Sequence, residues 1–193
     1  APLSADEWVG LAREGMRKFP ATTELYVRPM VWAARAGPLA LPGDPESTRF
    51  ALTIYDSPMR KPDGFSITLS PFRRPTLDSA PVDAKAGCLY PNNARAMMEA
   101  RSRGFDNCIV CDMLGNVAEL ANSNVFMAKD GVAFTPVPNS TFLNGITRQR
   151  VIKLLRAEGV PVVEQVLRYV DFEGADEIFA TGNASKVLPI TRI

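Results

Sequence analysis

The sequence predicts an α+β fold with mostly antiparallel strands and a few flanking helices. Three observations support this class. Apolar residues recur at helical spacing in separated stretches, whereas alternation with a period of two dominates between residues 108 and 135. Tight-turn signals at Gly115-Asn116 and Asp130-Gly131 divide the alternating region, and such turns join antiparallel strands. Strands grouped in this way, rather than alternating regularly with helices, favour α+β over a parallel α/β sheet.

The first half of the chain opens with a helix over residues 5–18. Ser4 and Glu7 have the spacing of a capping box, and Pro20 stops the helix. Strands follow at residues 24–33, 50–55 and 64–69. Pro29 marks the first of them as an edge or bulged strand. Residues 72–82 contain two arginines and three prolines and are irregular.

The second half begins with a helix that Pro91 opens and Gly104 closes. The strands predicted after it are residues 108–113, 117–120, 125–129, 132–135, 162–167 and 177–180. A second helix runs from Gly145 to Gly159, with Ile146, Val151, Ile152, Leu154 and Leu155 facing inward. Residues 172–175 form a short helical turn, and residues 181–184 form the last turn.

Composition restricts the class of protein. The 193 residues can form one sizeable domain, and 46% apolar and 22% charged residues are ordinary for a globular chain. A net charge of +1 favours neither nucleic acid nor a membrane surface as a partner. Three cysteines, no long apolar stretch and no signal-peptide pattern at the start lead us to expect a cytoplasmic protein.

The chain contains no histidine. Ser-His-Asp and Cys-His catalysis within these residues is therefore excluded, and so is any metal site that needs histidine. We expect no metal. If the protein is an enzyme, its acid–base group is a lysine, carboxylate, tyrosine or cysteine, or belongs to a cofactor.

Lys85 lies between small residues, with Tyr90 five positions later. The small neighbours Ala84, Ala86 and Gly87 would let a flat ligand approach closely. Partial burial would disfavour the ammonium form, and a neutral amine can form a Schiff base with an aldehyde. The alternative is an ordinary surface lysine on a turn.

Two further positions could carry chemistry. Gly145 precedes Ile146 and Thr147 at a helix start, where backbone N–H groups bind anions such as phosphate. Taken in isolation, this motif favours the alternative that Thr147 is a plain structural N-cap. Glu119 is flanked by apolar residues on a strand, so it either points inward and needs a partner or points outward as a solvated charge.

Several other candidates have structural explanations. Cys108 and Cys111 have redox spacing, but on a strand their thiols face opposite sides, which indicates packing. The pairs Arg73-Arg74 and Arg148/Arg150 are interpreted as surface or structural residues, and Met97-Met98 as core.

Taken together, the motifs resemble the fold-type IV pyridoxal-phosphate enzymes, and within them the branched-chain amino acid aminotransferases. The motifs occur in the order of that family: Tyr26-Val27-Arg28-Pro29, Ala84-Lys85-Ala86-Gly87 with Tyr90, Gly115-Asn116-Val117-Ala118-Glu119 with Asn124-Val125-Phe126, Lys129-Asp130-Gly131, Gly145-Ile146-Thr147-Arg148, Ala175-Asp176-Glu177-Ile178-Phe179 and Thr181-Gly182-Asn183-Ala184. The resemblance implies that residues 1–193 are the large pseudo-barrel, cofactor-binding domain. It also implies that the N-terminal small domain and C-terminal tail of the family are not present in this sequence.

The resemblance implies pyridoxal 5'-phosphate as cofactor and assigns residues to it. Lys85 would hold it as a Schiff base and shuttle the substrate proton. Tyr90 would hydrogen-bond its phenolic oxygen, and Glu119 would pair with its ring nitrogen. Ile146 and Thr147 would bind its phosphate.

The remaining implied roles concern phosphate and substrate. Asn183 and Ala184 would lie at the turn that meets the phosphate and the substrate carboxylate. Tyr26 would contact that carboxylate, and Arg28 would receive an acidic side chain such as that of glutamate. Asn183 stands where threonine is common in the family, which puts its side-chain phosphate contact in doubt.

The implied activity is transamination between branched-chain L-amino acids and 2-oxoglutarate in a cytoplasmic homodimer. The choice within the family depends mainly on Tyr26, Arg28 and Pro29. The alternatives are a D-amino acid or amine transaminase, an aminodeoxychorismate lyase, or a non-catalytic homologue that binds the cofactor.

Overall fold

The computed structural model describes residues 3–184 and 186–193. The chain divides into two compact units, Ala1–Arg60 and Lys61–Ile193, each of which is described by itself. The assignment of the whole chain to a single cofactor-binding domain stays a prediction. In the described ranges no helix is long and apolar enough to span a membrane.

The first unit consists of helix α1 (Ala5–Met16) and a two-stranded antiparallel sheet, β1 (Leu25–Ala33) with β2 (Thr48–Asp56). The predicted capping box is confirmed, because the Ser4 hydroxyl accepts the Glu7 amide and the Glu7 carboxylate accepts the Ser4 amide. All three predicted elements of this unit are present. The Trp8 ring on α1 meets the Phe50 ring on β2 edge-on at 5.8 Å.

Within the described residues, the second unit contains an eight-stranded sheet and three α-helices. Its helices are α2 (Tyr90–Ser102), α3 (Ile146–Ala157) and α4 (Tyr169–Glu173). Its strands are β3 (Phe65–Arg73), β4 (Asn107–Cys111), β5 (Val117–Leu120), β6 (Asn124–Lys129), β7 (Val132–Pro136), β8 (Val162–Gln165), β9 (Glu177–Gly182) and β10 (Lys186–Arg192). Their order across the sheet is β5-β4-β3-β10-β9-β6-β7-β8.

The sheet curls into the predicted pseudo-barrel. Edge strand β5 lies against β6 and β7, which are far from it in the strand order. The Val117 amide on β5 donates to the Leu167 carbonyl, just beyond the opposite edge strand β8, at 2.8 Å. This hydrogen bond joins the two edges, and closure is one way in which β proteins protect unpaired edge groups.

Strand pairing is mixed. The four pairs β4–β5, β6–β7, β6–β9 and β9–β10 are antiparallel, and the hairpin turns predict the first two of them. Strand β3, however, pairs in parallel with both β4 and β10, and β7 pairs in parallel with β8. The chain reaches β4 from β3 through α2 and reaches β8 from β7 through α3, and such helical crossovers join parallel strands.

Strand β10 is absent from the sequence-based prediction. Its apolar run is short and contains Pro189, which argues locally against a strand. The structure nevertheless places it between β9 and β3, where it forms the connection between the two halves of the sheet. Local patterns do not reveal a partner as remote in sequence as β3.

The two faces of the sheet bury different groups. The barrel interior contains Cys111 among aliphatic side chains of β3 to β9, whereas Cys108 packs outside against Ala96 and Ala100 of α2. The prediction that the two thiols face opposite sides is confirmed. Burial raises the pKa of both thiols, that of Cys108 to about 11, so neither is a reactive thiolate.

The predicted helix faces are partly wrong. On α3, Val151 and Ile152 are buried against Phe126, but Ile146 and Leu154 are exposed. On α2, Met98 is exposed. The small residues Ala96 and Ala100 occupy the contact with the sheet instead, because they let the helix approach closely.

Candidate active site

Glu119 lies on β5 and points inward, with 8% of its surface exposed. Its Oε1 forms an ion pair with Arg74 Nη2 at 3.2 Å, and its Oε2 accepts a hydrogen bond from Asn124 Nδ2 at 3.4 Å. Burial raises the pKa of Glu119 to about 7, against the opposing effect of the Arg74 and Lys85 charges. The carboxyl group is therefore poised to exchange a proton near neutral pH.

Arg74 is a site residue that sequence reasoning missed. The sequence pattern indicates a surface or structural residue, but only 2% of Arg74 is exposed, and it pairs with the Glu119 oxygen that Asn124 does not contact. Its Nε donates to the Thr141 carbonyl at 2.9 Å, and its Nη1 donates to Asn93 Oδ1 at 2.6 Å. The need of Glu119 for a partner was the only signal, and it could not single out one arginine.

Lys85 lies at the end of a turn over residues 82–85, before a 3₁₀ turn at Gly87–Leu89. The expected partial burial of Lys85 is wrong for the described chain, in which its side chain is exposed. Its small neighbours, which were expected to admit a ligand, also provide no side chain that could cover the amine. The charge of Lys85 nevertheless lowers the pKa of Glu119, so the amine lies within electrostatic reach of that carboxyl.

Tyr90 is the first residue of α2, and its side chain is exposed. The helix start is fixed in two places. Leu89 is buried just before it, and Asn93, one turn into the helix, accepts the hydrogen bond from Arg74. The segment that carries Lys85 and Tyr90 is therefore tied to the same arginine that holds Glu119.

The start of α3 offers backbone donors. Helix α3 begins at Ile146 with Gly145 as N-cap, and no side chain caps it. The prediction that Thr147 is the cap is wrong, since Thr147 lies inside the first turn. The amides of a first turn have no helical acceptor, and the positive end of the helix dipole adds to their pull on an anion. Ile146 is 87% exposed, which leaves this helix end accessible.

Asn183 and Ala184 form the turn between β9 and β10, and both are exposed. The Asn183 Oδ1 accepts a hydrogen bond from Lys186 Nζ at 3.3 Å. Strand β9 runs beside β6, with Thr181 opposite Asn124. The turn after β9 therefore lies at the end of the strands at which Asn124 also lies. The start of α3 lies at this end of the strands too, because Gly145 packs against Asn124.

Tyr26 and Arg28 lie on β1 of the first unit. The Tyr26 ring is half-buried and stacks on Tyr55 at 5.6 Å, while Arg28 is exposed. Their substrate contacts stay predictions. In the second unit, the structure brings Glu119 together with Arg74 and Asn124, and it brings Asn124 against Gly145 at the start of α3. In the described part of the chain, no group of three or more cysteines or carboxylates could hold a metal ion.

Comparison with known proteins identifies the family. Residues 1–193 match the model of the family described as amino-transferase class IV. The chain belongs to this family. A probable branched-chain-amino-acid aminotransferase of Aquifex aeolicus is 34% identical to this class IV chain over 193 residues, covering 98% of the chain and 62% of the relative. The branched-chain-amino-acid aminotransferase of Escherichia coli K12 is 33% identical over 195 residues, covering 98% and 63%.

Solved structures agree with this assignment. The class IV chain superposes on an aminotransferase from Brucella abortus bound to the cofactor PLP, with a TM-score of 0.96 and 57% identity, covering 100% of this chain and 69% of that one. It superposes on the Escherichia coli branched-chain aminotransferase with a TM-score of 0.90 and 33% identity, covering 100% and 63%. The fold-type IV resemblance and the pseudo-barrel fold are confirmed. The chain spans less than two thirds of the length of these curated relatives.

Proposed function

We propose that this protein is a pyridoxal-phosphate-dependent transaminase that moves an amino group between branched-chain L-amino acids and 2-oxoglutarate. The observation that supports it best is Glu119, a buried carboxyl held by Arg74 within the electrostatic reach of Lys85. Class IV relatives with branched-chain aminotransferase names support the substrate class.

The residues present fit the cofactor. A buried carboxyl with a pKa near neutrality suits a protonated ring nitrogen, an exposed amine can reach an aldehyde, and an uncapped helix start suits a phosphate. Bound pyridoxal phosphate supplies an electron sink for the negative charge that develops when a proton leaves the substrate Cα. The protein supplies the groups that hold it and move protons.

Each residue then has a defined task. Glu119, kept in place by Arg74, holds a proton at the ring nitrogen. Lys85 Nζ would hold the cofactor through its aldehyde before the substrate binds. Once the substrate amine has displaced it, the free Lys85 amine would carry a proton to and from the substrate Cα. Tyr90 would donate a hydrogen bond from its hydroxyl to the phenolic oxygen of the cofactor.

The phosphate and the substrate occupy the remaining positions. The amides at Ile146 and Thr147, with the Thr147 hydroxyl, bind the phosphate, and Asn183 joins them at the neighbouring turn. Ala184 and Tyr26 meet the substrate carboxylate, and Arg28 receives the distal carboxylate of the acidic partner. We further propose that the active form is a cytoplasmic homodimer.

The experiment compares Lys85→Ala with Lys153→Ala, an exposed lysine on α3, in the full-length protein. Wild type and Lys153→Ala should transfer the amino group of L-leucine to 2-oxoglutarate, and Lys85→Ala should lose at least about a thousandfold in rate, since a covalent step is removed. Equal rates in all three proteins would reject the assignment.

Substrate choice is tested separately. L-leucine, D-alanine and aminodeoxychorismate distinguish the proposed activity from the other fold-type IV activities. Asn183, whose side-chain oxygen is engaged by Lys186, favours one further candidate, a non-catalytic homologue. Full cofactor binding with no turnover of any of these amino donors would support that candidate instead.

A further inference from the structure

Asn124 lies between the two parts of the proposed site. It is the first residue of β6, and only 6% of it is exposed. Glu119 on β5 is on one side of it, and the loop that enters α3 is on the other. The proposed function gives this side chain no task in the reaction.

The amide nitrogen of Asn124 makes two hydrogen bonds. It donates to Glu119 Oε2 at 3.4 Å and to the Leu143 carbonyl at 2.9 Å. A side-chain amide has two N–H donors, so both are used. One bond orients the carboxyl group and the other fixes the backbone two residues before Gly145.

The amide oxygen of Asn124 contacts the start of α3 directly. A Cβ added at Gly145 would overlap with Asn124 Oδ1, and among the residues that the structure describes no other atom would come closer than 3.6 Å. Gly145 has a φ of −59°, which any residue adopts, so glycine is needed here for space and not for conformation. The Asn124 side chain is therefore held on both sides.

We infer that Asn124 is a positioning residue that fixes the Glu119 carboxyl and the start of α3 in one geometry. The inference rests on the proposed function, because it joins the group that meets the ring nitrogen to the group that meets the phosphate. Aspartate has the same shape but would turn a carboxylate oxygen towards two acceptors, Glu119 and the Leu143 carbonyl. Asparagine is the residue of this size that offers donors to both.

The first test addresses the contact itself, without cofactor. Gly145→Ala should lower the melting temperature of the full-length apoprotein by several degrees, because its methyl group overlaps with Asn124 Oδ1. Asn124→Ala removes that atom, so the double variant should be more stable than the sum of the single effects predicts. Additive losses would show that the two residues do not constrain each other, and would overturn the inference.

The second test measures the coupling between the two ends of the site through the dissociation constant for pyridoxal phosphate. Glu119→Gln and Thr147→Ala are combined in the wild type and again in the Asn124→Ala background. With Asn124 present, the fold-change in the dissociation constant of the double variant should differ from the product of the two single fold-changes by about threefold or more. In the Asn124→Ala background, the fold-change of the double variant should equal the product of the two single fold-changes to within about twofold. If Asn124 is purely structural, the deviation from that product will be the same in both backgrounds, which would overturn the inference.

A charge control completes the design. Asn124→Asp should weaken cofactor binding more than Asn124→Ala, because it adds a carboxylate beside Glu119. Asn122→Asp, an exposed change two residues away that can still accept the hydrogen bond from Asn107, should bind as wild type does. If the wild type binds no cofactor, the proposed function and this linkage both fail. If the wild type binds the cofactor but the Gly145→Ala and Asn124→Ala effects on stability and the Glu119→Gln and Thr147→Ala effects on binding are all independent, only the inference about Asn124 fails.

Discussion

At the scale of single residues, Glu119 depends on the balance between burial and two positive charges. Burial favours the protonated form, while the Arg74 ion pair and the more exposed Lys85 favour the carboxylate. The outcome, a pKa of about 7, differs from that of an ordinary glutamate by enough to be measured in the stability of the protein.

The stability of the apoprotein should therefore depend on pH through Glu119. The folded chain, with a pKa of about 7, binds this proton more tightly than the unfolded chain, with a value near 4.5. The contribution of this proton to the free energy of unfolding is fully present below about pH 4.5. It is lost as the pH rises through about 7, and the total loss is about 3 kcal/mol.

Urea unfolding of full-length apoprotein at about pH 5 and about pH 8 measures this loss. Glu119→Gln should remove this difference in unfolding free energy between the two pH values. Glu177→Gln, the same substitution at an exposed glutamate on β9, should keep it. The same pH dependence in wild type and Glu119→Gln would contradict the assigned environment of Glu119.

Sequence reasoning found some site residues and missed others for physical reasons. Glu119 was noticeable because a charge among apolar neighbours is unusual. Arg74 and Asn124 were not, because their importance comes from contacts with β5 and with the loop before α3, which only the folded chain creates. The burial of Lys85 was overestimated because its small neighbours admit solvent as readily as a ligand.

At the scale of elements, α3 is held by Arg148, for which the sequence pattern indicates a surface or structural role. Arg148 is 1% exposed, and its Nη2 reaches both Glu164 Oε2 at 2.9 Å and the Pro136 carbonyl at 2.8 Å. Its Nη1 donates to Asn144 Oδ1 at 2.8 Å. One side chain thus ties the first turn of α3 to β7, β8 and the loop that precedes it.

Arg148→Met should destabilise the protein by about 3 kcal/mol, because it leaves a carboxylate and a carbonyl without their buried donor. Arg150→Met on the exposed face of the same helix should cost less than about 0.5 kcal/mol. Denaturant unfolding compares the two. A similar small loss for both variants would show that Arg148 does not hold the helix start.

Most elements were predictable because their signals are local. The capping box at Ser4, the proline at Pro91 and the hairpin turn at Asp130-Gly131 each fix a boundary within a few residues. Asp130 and Gly131 both have positive φ, 51° and 75°, as a tight hairpin turn requires. The faces of α2 and α3 were less predictable, since the small residues that make the contact carry little apolar signal.

At the scale of the whole chain, the curled sheet of the second unit depends on pairings between remote segments. Strand β10 joins β9 to β3, and the hydrogen bond from Val117 to Leu167 joins the two edges. The sequence predicted mostly antiparallel strands but neither β10 nor the parallel pairs, because their partners lie far apart in the chain. Family resemblance supplied the pseudo-barrel that local patterns could not.

If β10 is essential to this sheet, truncation of its buried side chain should be costly. Leu188→Ala should lower the free energy of unfolding by about 3 kcal/mol, because it opens a cavity in the interior. Val187→Ala, on the exposed side of the same strand, should lower it by less than about 1 kcal/mol. Equal losses would mean that β10 does not pack as described.

The central claim is that Lys85 carries the cofactor beside Glu119. The direct measurement is borohydride reduction of the full-length protein loaded with pyridoxal phosphate, followed by digestion and mass spectrometry of the peptides. We predict that the mass of the reduced cofactor appears on the peptide that contains Lys85 and disappears in Lys85→Ala. Attachment at another lysine, such as Lys61 or Lys129, or no attachment at all, would contradict the account.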